Sequence, residues 1–166
     1  MNSLNISRPR VALFEPRIPQ NTGTIGRSCL AFNMPLDIIK PTGFSFDDKY
    51  LKRAGLDYWE NVDLNLFESF EDYKNSFNNS RIIALTKKSS NSISNINYNK
   101  TDILLFGRED TGLPDNIMSQ CQIITGIPMP GGEKELQNGG VRSLNLSVAC
   151  GIVCYSCCQQ LNLLNK

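Results

Sequence analysis

Short apolar runs alternate along the chain with segments whose apolar residues recur at helical spacing. The runs predict five strands, at Val11–Phe14, Leu36–Ile39, Arg81–Thr86, Asp102–Phe106 and Ile123–Ile127. The periodic segments predict five helices, at Asn21–Phe32, Asp47–Ala54, Glu68–Phe77, Pro114–Gln120 and Ser143–Leu163. This alternation is typical of an α/β protein, so we expect a mainly parallel sheet with helices on both faces.

Two segments between these elements lack such a pattern. Residues Lys87–Lys100 are rich in serine and asparagine and predict an exposed loop. Residues Met129–Val141 contain two Gly-Gly pairs between the last strand and the last helix, a place where α/β proteins often bind ligands. The length of 166 residues suits a single domain spanning residues 1–166.

Composition excludes several classes of function. The chain contains no histidine, which excludes Ser-His-Asp triads, Cys-His nucleophiles and HExxH metal sites. The chain contains no run of ~18 apolar residues, so no membrane span is predicted. The first residues also lack the apolar segment of a signal peptide. A cytoplasmic protein is therefore expected.

The net charge is only +1, but the charges are unevenly distributed. Residues 1–53 hold eight Lys and Arg against four Asp and Glu, whereas residues 54–80 hold one against six. We expect the basic third to face a phosphate-rich partner and the acidic stretch Asp57–Asp72 to face away. Ordinary solvated surface would give the same composition.

The cysteines near the C-terminus match the spacing C-x3-C-x2-C of an iron–sulfur site. However, Cys150, Cys154, Cys157 and Cys158 follow each other at i, i+4, i+7 and i+8, which places them on one face of an apolar helix. Cysteine behaves on such a face as a small apolar residue. We therefore expect a buried core or dimer stripe, and no metal.

Three segments carry polar residues in places where ligands bind. In EPRIPQNTGTIGR (residues 15–27), Asn21 is a plausible N-cap whose helix turn could hold a phosphate, and Arg27 lies about two turns into that helix. In LLFGREDTGLP (residues 104–114), Gly107 ends a buried strand, and its missing side chain lets a ligand approach the backbone. In VRSLNLS (residues 141–147), Ser143 or Asn145 could cap the last helix. Each segment alone is equally explained by ordinary caps and turns.

Together these segments resemble the SPOUT methyltransferase superfamily, whose fold contains a trefoil knot. More closely, the chain is similar to the tRNA 2′-O-methyltransferases that act on the wobble nucleotide, position 34, of leucine tRNAs. The resemblance rests on EPRIPQNTGTIGR, on PTGF with DDKYLKRAGLDYW, on FGREDTGLP and on IPM with RSLNLSVA. These motifs occur in the family's order and cover nearly all of residues 10–160.

The resemblance implies a C-terminal trefoil knot that holds S-adenosylmethionine, with tRNA as substrate. It places the cofactor against eight residues: Leu85, Thr86, Gly107, Glu109, Ile127, Met129, Ser143 and Leu144. The reactive arginine corresponds to Arg27, assisted by Asn21, Ser143 and Asn145. Family members are homodimers, and the Cys-bearing face of the last helix is expected to form the interface.

One loop departs from the family's pattern, and one tyrosine that matches the family has no assigned role. The loop from Met129 to Arg142 is longer and richer in glycine than usual, with Val141 where a small polar residue is common. Because this loop flanks the cofactor, nucleotide choice and affinity are expected to depend on it. Tyr155 matches a tyrosine of the family's final helix, but the sequence assigns it no role.

The implied reaction is attack of a ribose 2′-oxygen on the sulfonium methyl carbon of S-adenosylmethionine, which breaks the S–CH3 bond and releases S-adenosylhomocysteine. Because arginine stays charged, Arg27 is expected to bind a tRNA phosphate and polarise the hydroxyl. Either a phosphate oxygen or a transiently deprotonated arginine then accepts the proton. Two alternatives remain at this point: a 2′-O-methyltransferase for another tRNA or rRNA position, and a catalytically inactive RNA-binding module.

Overall fold

The structure is a computed structural model that describes residues 8–47, 57–132, 141 and 143–164. The described strands are β1 (Arg10–Phe14), β2 (Leu36–Ile39), β3 (Leu64–Phe67), β4 (Ile82–Leu85), β5 (Ile103–Phe106) and β6 (Ile123–Thr125). The described α-helices are α1 (Pro19–Ala31), α2 (Phe70–Ser76), α3 (Asp115–Met118) and α4 (Leu146–Gln160). The helix predicted at Asp47–Ala54 falls, apart from Asp47, outside the described residues.

All six strands form one sheet in the order β3-β2-β1-β5-β4-β6. Every neighbouring pair is parallel, so the carboxyl ends of the strands lie along the same edge. The strands before α2 extend the sheet to one side of β1, and the later strands extend it to the other. This edge is where open α/β sheets bind ligands.

Side chains alternate between the two faces of the sheet and build one core on each. On one face, Val11 and Leu13 pack with α1 and α4. On the other, Ala12 and Phe14 pack with α2 and α3. Four strands are buried on both faces, or nearly so, and this explains their continuous apolar sequences. The predicted α/β fold with helices on both faces is confirmed, while the knot and the single-domain organisation stay predictions.

The edge strand β3 was not predicted from the sequence. It is only half buried, and Asn65 interrupts its apolar residues within an acidic stretch. Its backbone nevertheless pairs with β2 from Leu64 to Phe67. A short edge strand needs fewer apolar residues because one of its sides faces solvent.

The prediction of an exposed loop at Lys87–Lys100 is wrong in part. A 3-10 turn, Ile93–Asn95, folds into the core with Ile96 and Tyr98, and each of the large side chains is at most 6% exposed. The Gln160 side chain on α4 accepts a hydrogen bond from the Tyr98 N–H at 2.6 Å. The apolar residues were too few, and too irregularly spaced among serines and asparagines, to predict this packing.

The expected separation of basic and acidic regions is wrong for two cations of the described residues. Arg8 lies 2.6 Å from Asp63, and Lys40 lies 2.7 Å from Glu68, so the acidic stretch neutralises cations of the N-terminal third. The parallel pairing of β2 with β3 brings the two regions together.

A buried ion pair crosses the sheet between β1 and β2. The Arg10 side chain, 2% exposed, donates Nε–H and Nη2–H to the two carboxylate oxygens of the fully buried Asp37 at 2.7 and 2.6 Å. Asp37 also accepts hydrogen bonds from Tyr73 on α2 and from Asn65 on β3. One carboxylate therefore ties three strands to a helix.

The four cysteines of α4 are buried in the core that α4 shares with α1, as the predicted core stripe required. Burial raises the pKa of the Cys158 thiol to about 11, consistent with an unreactive packing role. Because this face already packs inside the monomer, the prediction that it forms a dimer interface is wrong. None of the described helices is long and apolar enough to cross a membrane.

Candidate cofactor and RNA site

A cavity of about 710 Å³ opens at the carboxyl edge of the sheet. Its walls come from the ends of β4, β5 and β6 and from the first turns of α1 and α4. Apolar residues such as Leu85, Phe106 and Ile127 line the cavity together with polar and charged residues such as Thr86 and Glu109. This size and mixed lining are typical of small-molecule and cofactor sites.

The structure brings most of the predicted site residues to this cavity. All eight residues predicted to contact the cofactor line it: Leu85, Thr86, Gly107, Glu109, Ile127, Met129, Ser143 and Leu144. Asn21 and Asn145 line it as well. Arg27 does not. Of the loop from Met129 to Arg142, residues 133–140 and Arg142 lie outside the described part of the chain.

Gly107 serves the turn that follows β5. A Cβ at this position would lie 2.3 Å from the Gly112 carbonyl carbon and 2.3 Å from the Leu113 nitrogen. The missing side chain therefore admits the chain's own backbone, whereas the sequence suggested that it admits a ligand. Gly112 closes the turn at a φ of +70°, which favours glycine. Substituting Gly107 would distort the cavity wall, so it cannot serve as a simple test of ligand binding.

Glu109 caps α1 from the turn after β5. Its carboxylate accepts hydrogen bonds from the Arg17 N–H at 2.8 Å and the Ile18 N–H at 3.1 Å, and a weaker one from the Asn21 amide at 3.4 Å. A carboxylate at this place also stabilises the helix dipole. The predicted cap at Asn21 is wrong because α1 begins at Pro19, with Ile18 as its N-cap. The amides predicted to hold a phosphate follow Asn21 and therefore lie inside α1, where the Thr22 N–H already donates to the Ile18 carbonyl oxygen at 3.3 Å.

The first turns of α1 and α4 are joined by a side-chain bond. The Asn145 amide donates to the Asn21 side-chain oxygen at 3.0 Å, and Asn21 is only 8% exposed. The Asn145 oxygen accepts the Ser147 N–H at 2.8 Å and so caps α4, one of the two predicted caps. The remaining candidate, Ser143, lies exposed at the cavity wall.

Arg27 lies on the exposed side of α1, six residues after Asn21 or about 9 Å along the helix axis. Its guanidinium carbon is 5.5 Å from the centroid of the Tyr58 ring. Arg8, Arg17 and Lys40 pair with carboxylates, whereas Arg27 has no such partner among the residues that the structure describes. This cation therefore remains available to an external anion.

Sequence reasoning missed several wall residues of the cavity. The apolar ones are Ile18, Phe106, Leu146, Ala149 and Val153, and the basic ones are Lys87, Lys88 and Arg108. Ala149 and Val153 lie one helical turn apart on α4, where an apolar residue predicts core packing as readily as a ligand wall. The lysines follow β4 directly, and their position at a strand's carboxyl end was the signal that could have identified them.

Comparisons with known proteins agree with this geometry. Residues 8–155 match the model of the SpoU rRNA Methylase family. The tRNA (cytidine(34)-2′-O)-methyltransferase of Escherichia coli (strain K12) is 38% identical over 151 residues, which cover 91% of this chain and 92% of the relative. A solved structure described as giving structural insights into the 2-OH methylation of C/U34 on tRNA is 37% identical, with a TM-score of 0.86 over 95% of this chain and 99% of that one.

A second solved structure is that of an AdoMet-bound rRNA methyltransferase from Sinorhizobium meliloti. It is 25% identical, with a TM-score of 0.79 over 93% of this chain and 57% of that chain. The predicted resemblance to RNA 2′-O-methyltransferases is thereby confirmed, and the chain belongs to the SpoU rRNA methylase family.

Proposed function

We propose that the protein is an S-adenosylmethionine-dependent methyltransferase that modifies the ribose 2′-hydroxyl of nucleotide 34 in tRNA, with leucine tRNAs as substrates. The observation that carries the proposal is the convergence of all eight predicted cofactor residues on one cavity at the carboxyl edge of the sheet. The names of the similar proteins support the tRNA position. The choice of leucine tRNAs rests on the sequence resemblance.

The cavity suits S-adenosylmethionine in size and lining. Its apolar wall, with Leu85, Phe106 and Ile127, would bury the adenine ring, while polar side chains of the lining, such as Thr86 and Ser143, would bind the polar groups of the cofactor. The similar Sinorhizobium meliloti protein binds AdoMet. When bound, the cofactor supplies an electrophilic methyl group.

Filling the cavity from α4 is expected to weaken cofactor binding. Ala149 lines the wall on a helix, so Ala149→Phe adds a ring to the cavity without straining a turn. We expect at least about 10-fold weaker binding of S-adenosylmethionine by calorimetry, equivalent to 1.4 kcal/mol. Asn75→Phe, exposed on α2 and away from the cavity, is the matched control and should bind normally. Unchanged affinity in Ala149→Phe would mean that the cofactor does not bind in this cavity.

The protein's own residues bind the ribose and reduce the cost of losing its 2′-hydroxyl proton. Arg27, which has no carboxylate partner among the described residues, provides a cation for a tRNA phosphate. Asn21, Ser143 and Asn145 provide polar groups at the cavity wall. Because arginine stays charged in proteins, we assign the proton to a phosphate oxygen that Arg27 holds. Holding both reactants in place supplies much of the rate. We assign no role to a metal.

Methyl-labelled S-adenosylmethionine tests the proposed function on total tRNA and total rRNA in parallel. Label is expected in tRNA alone. Label in rRNA alone would favour the alternative of an rRNA 2′-O-methyltransferase. RNA binding without any label would favour an inactive binding module and would contradict the proposal.

We further propose a homodimer that packs through the outer face of α4. Val148, Ile152 and Tyr155 follow at i, i+4 and i+7 and are 50%, 40% and 50% exposed, opposite the buried cysteines. This face gives Tyr155 a role in the interface. A cytoplasmic location and a single domain over residues 1–166 remain part of the proposal.

A charge on this face is expected to separate the dimer. Ile152→Asp would bury an unpaired carboxylate between two copies, which is costly. Sedimentation at micromolar concentration should give a dimer for the wild type and a monomer for the variant, with the melting temperature of the monomer fold retained. Asn75→Asp, exposed on α2 on the opposite face of the sheet, is the control. A monomeric wild type would contradict the homodimer.

A further inference from the structure

The 3-10 turn at Trp59–Asn61 packs against α1 beside Arg27. Gly23, Gly26 and Arg27 fall at i, i+3 and i+4 and therefore share one face of the helix. A Cβ on Gly26 would lie 2.5 Å from the Trp59 ring, so only glycine lets the turn approach this closely. The motif G-x-x-G-R thus forms a packing site, or seat, for two aromatic residues, Tyr58 and Trp59.

Tyr58 occupies this seat with contacts at both ends of its side chain. Its hydroxyl donates a hydrogen bond to the Gly23 carbonyl oxygen at 3.1 Å. Its ring lies under the guanidinium of Arg27, 5.5 Å from centroid to carbon. A cation over an aromatic face is attracted by the electron-rich ring. The hydroxyl contact fixes the ring on the helix, and the ring in turn restricts the rotamers of a long, exposed side chain.

We propose that Tyr58 is a positioning residue that orients Arg27 toward the RNA phosphate. This inference rests on the proposed function, because it assigns Arg27 its task there. An exposed arginine side chain loses conformational entropy when it binds a phosphate. Because the Tyr58 ring already restricts the guanidinium, less entropy is lost when the phosphate binds. Tyr58 therefore acts on catalysis without touching the substrate.

The first measurement follows the Arg27 side chain by NMR, without any RNA. The Nε–Hε signal, assigned by its loss in Arg27→Ala, is expected to be displaced by the ring current of Tyr58. It should move to the position of a free arginine in Tyr58→Leu and stay displaced in Tyr58→Phe, which keeps the ring. Trp59→Phe, which changes the packing on Gly26 but not the ring under Arg27, is the matched control and should also leave it displaced.

The second measurement is a kinetic double-mutant cycle. Tyr58→Leu is expected to lower kcat with tRNA by about 2- to 5-fold, the value of an exposed cation–π contact, with the KM for S-adenosylmethionine unchanged. In an Arg27→Ala background, where no cation remains over the ring, the same change should have little further effect because the coupled partner is gone.

An Arg27 signal that does not respond to Tyr58→Leu would overturn the inference, as would fully additive kinetic effects. The two proposals fail in distinguishable ways. A wild-type protein that methylates no RNA contradicts the proposed function, whereas the NMR result still decides whether Tyr58 orients Arg27.

Discussion

Arg27→Ala is expected to lower methyl transfer to tRNA by roughly 10²- to 10³-fold, the cost of removing one group that stabilises developing charge. The cation lies outside the cavity and has no carboxylate partner among the described residues. Binding of S-adenosylmethionine should therefore be unchanged. Arg27→Lys should recover little activity, because lysine keeps the charge but lacks the planar fork that matches a phosphate.

The control removes the same charge on the opposite face of the sheet. Lys74 on α2 pairs with Glu71 at 3.6 Å, far from α1 in the fold. Lys74→Ala should retain turnover near the wild-type level. Single-turnover rates with saturating cofactor, together with calorimetry, make the comparison. Near-normal turnover in Arg27→Ala would contradict the role given to this residue.

Asp37→Ala is expected to destabilise the fold by about 3–5 kcal/mol, the cost of removing one partner of a buried ion pair. Arg10 would be left as an unpaired charge, 2% exposed, between two strands. Tyr73 and Asn65 would also lose their acceptor. Urea unfolding followed by circular dichroism measures the loss as a lower midpoint.

Two further variants show whether burial causes this effect. Glu68→Ala removes an ion pair whose carboxylate is 77% exposed, and we expect at most about 1 kcal/mol. The double variant with Arg10→Met and Asp37→Leu removes both charges and should recover part of the stability. Equal losses of unfolding free energy in Asp37→Ala and Glu68→Ala would mean that the buried pair stabilises the fold no more than the exposed one.

The sequence predicted the strands that are buried on both faces, since a continuous apolar run has few other uses in an α/β protein. It did not predict β3, where a half-exposed edge leaves only Leu64, Leu66 and Phe67 as apolar residues. The hydrogen-bond network around the Arg10–Asp37 pair was not predicted either, because its members come from three strands and a helix. Such contacts depend on topology, which local spacing does not encode.

The cavity was predictable in position and less so in chemistry. Strand ends in a parallel sheet meet at one edge, so residues such as Thr86 and Gly107 had to lie together. The role of Glu109 was not predictable, because its carboxylate caps a helix 92 residues earlier in the chain. Tyr58 escaped notice for the same reason, since its contact with Arg27 exists only in the folded chain.

Ribose methylation of nucleotide 34 can be measured directly. The most direct test incubates a leucine tRNA transcript having cytidine at this position with the protein and S-adenosylmethionine, then locates the added mass by nuclease digestion and mass spectrometry. A 2′-hydroxyl in an exposed, unstacked loop is open to recognition of this kind. We expect one methyl group, on the ribose of nucleotide 34. A methyl group on a base would contradict it.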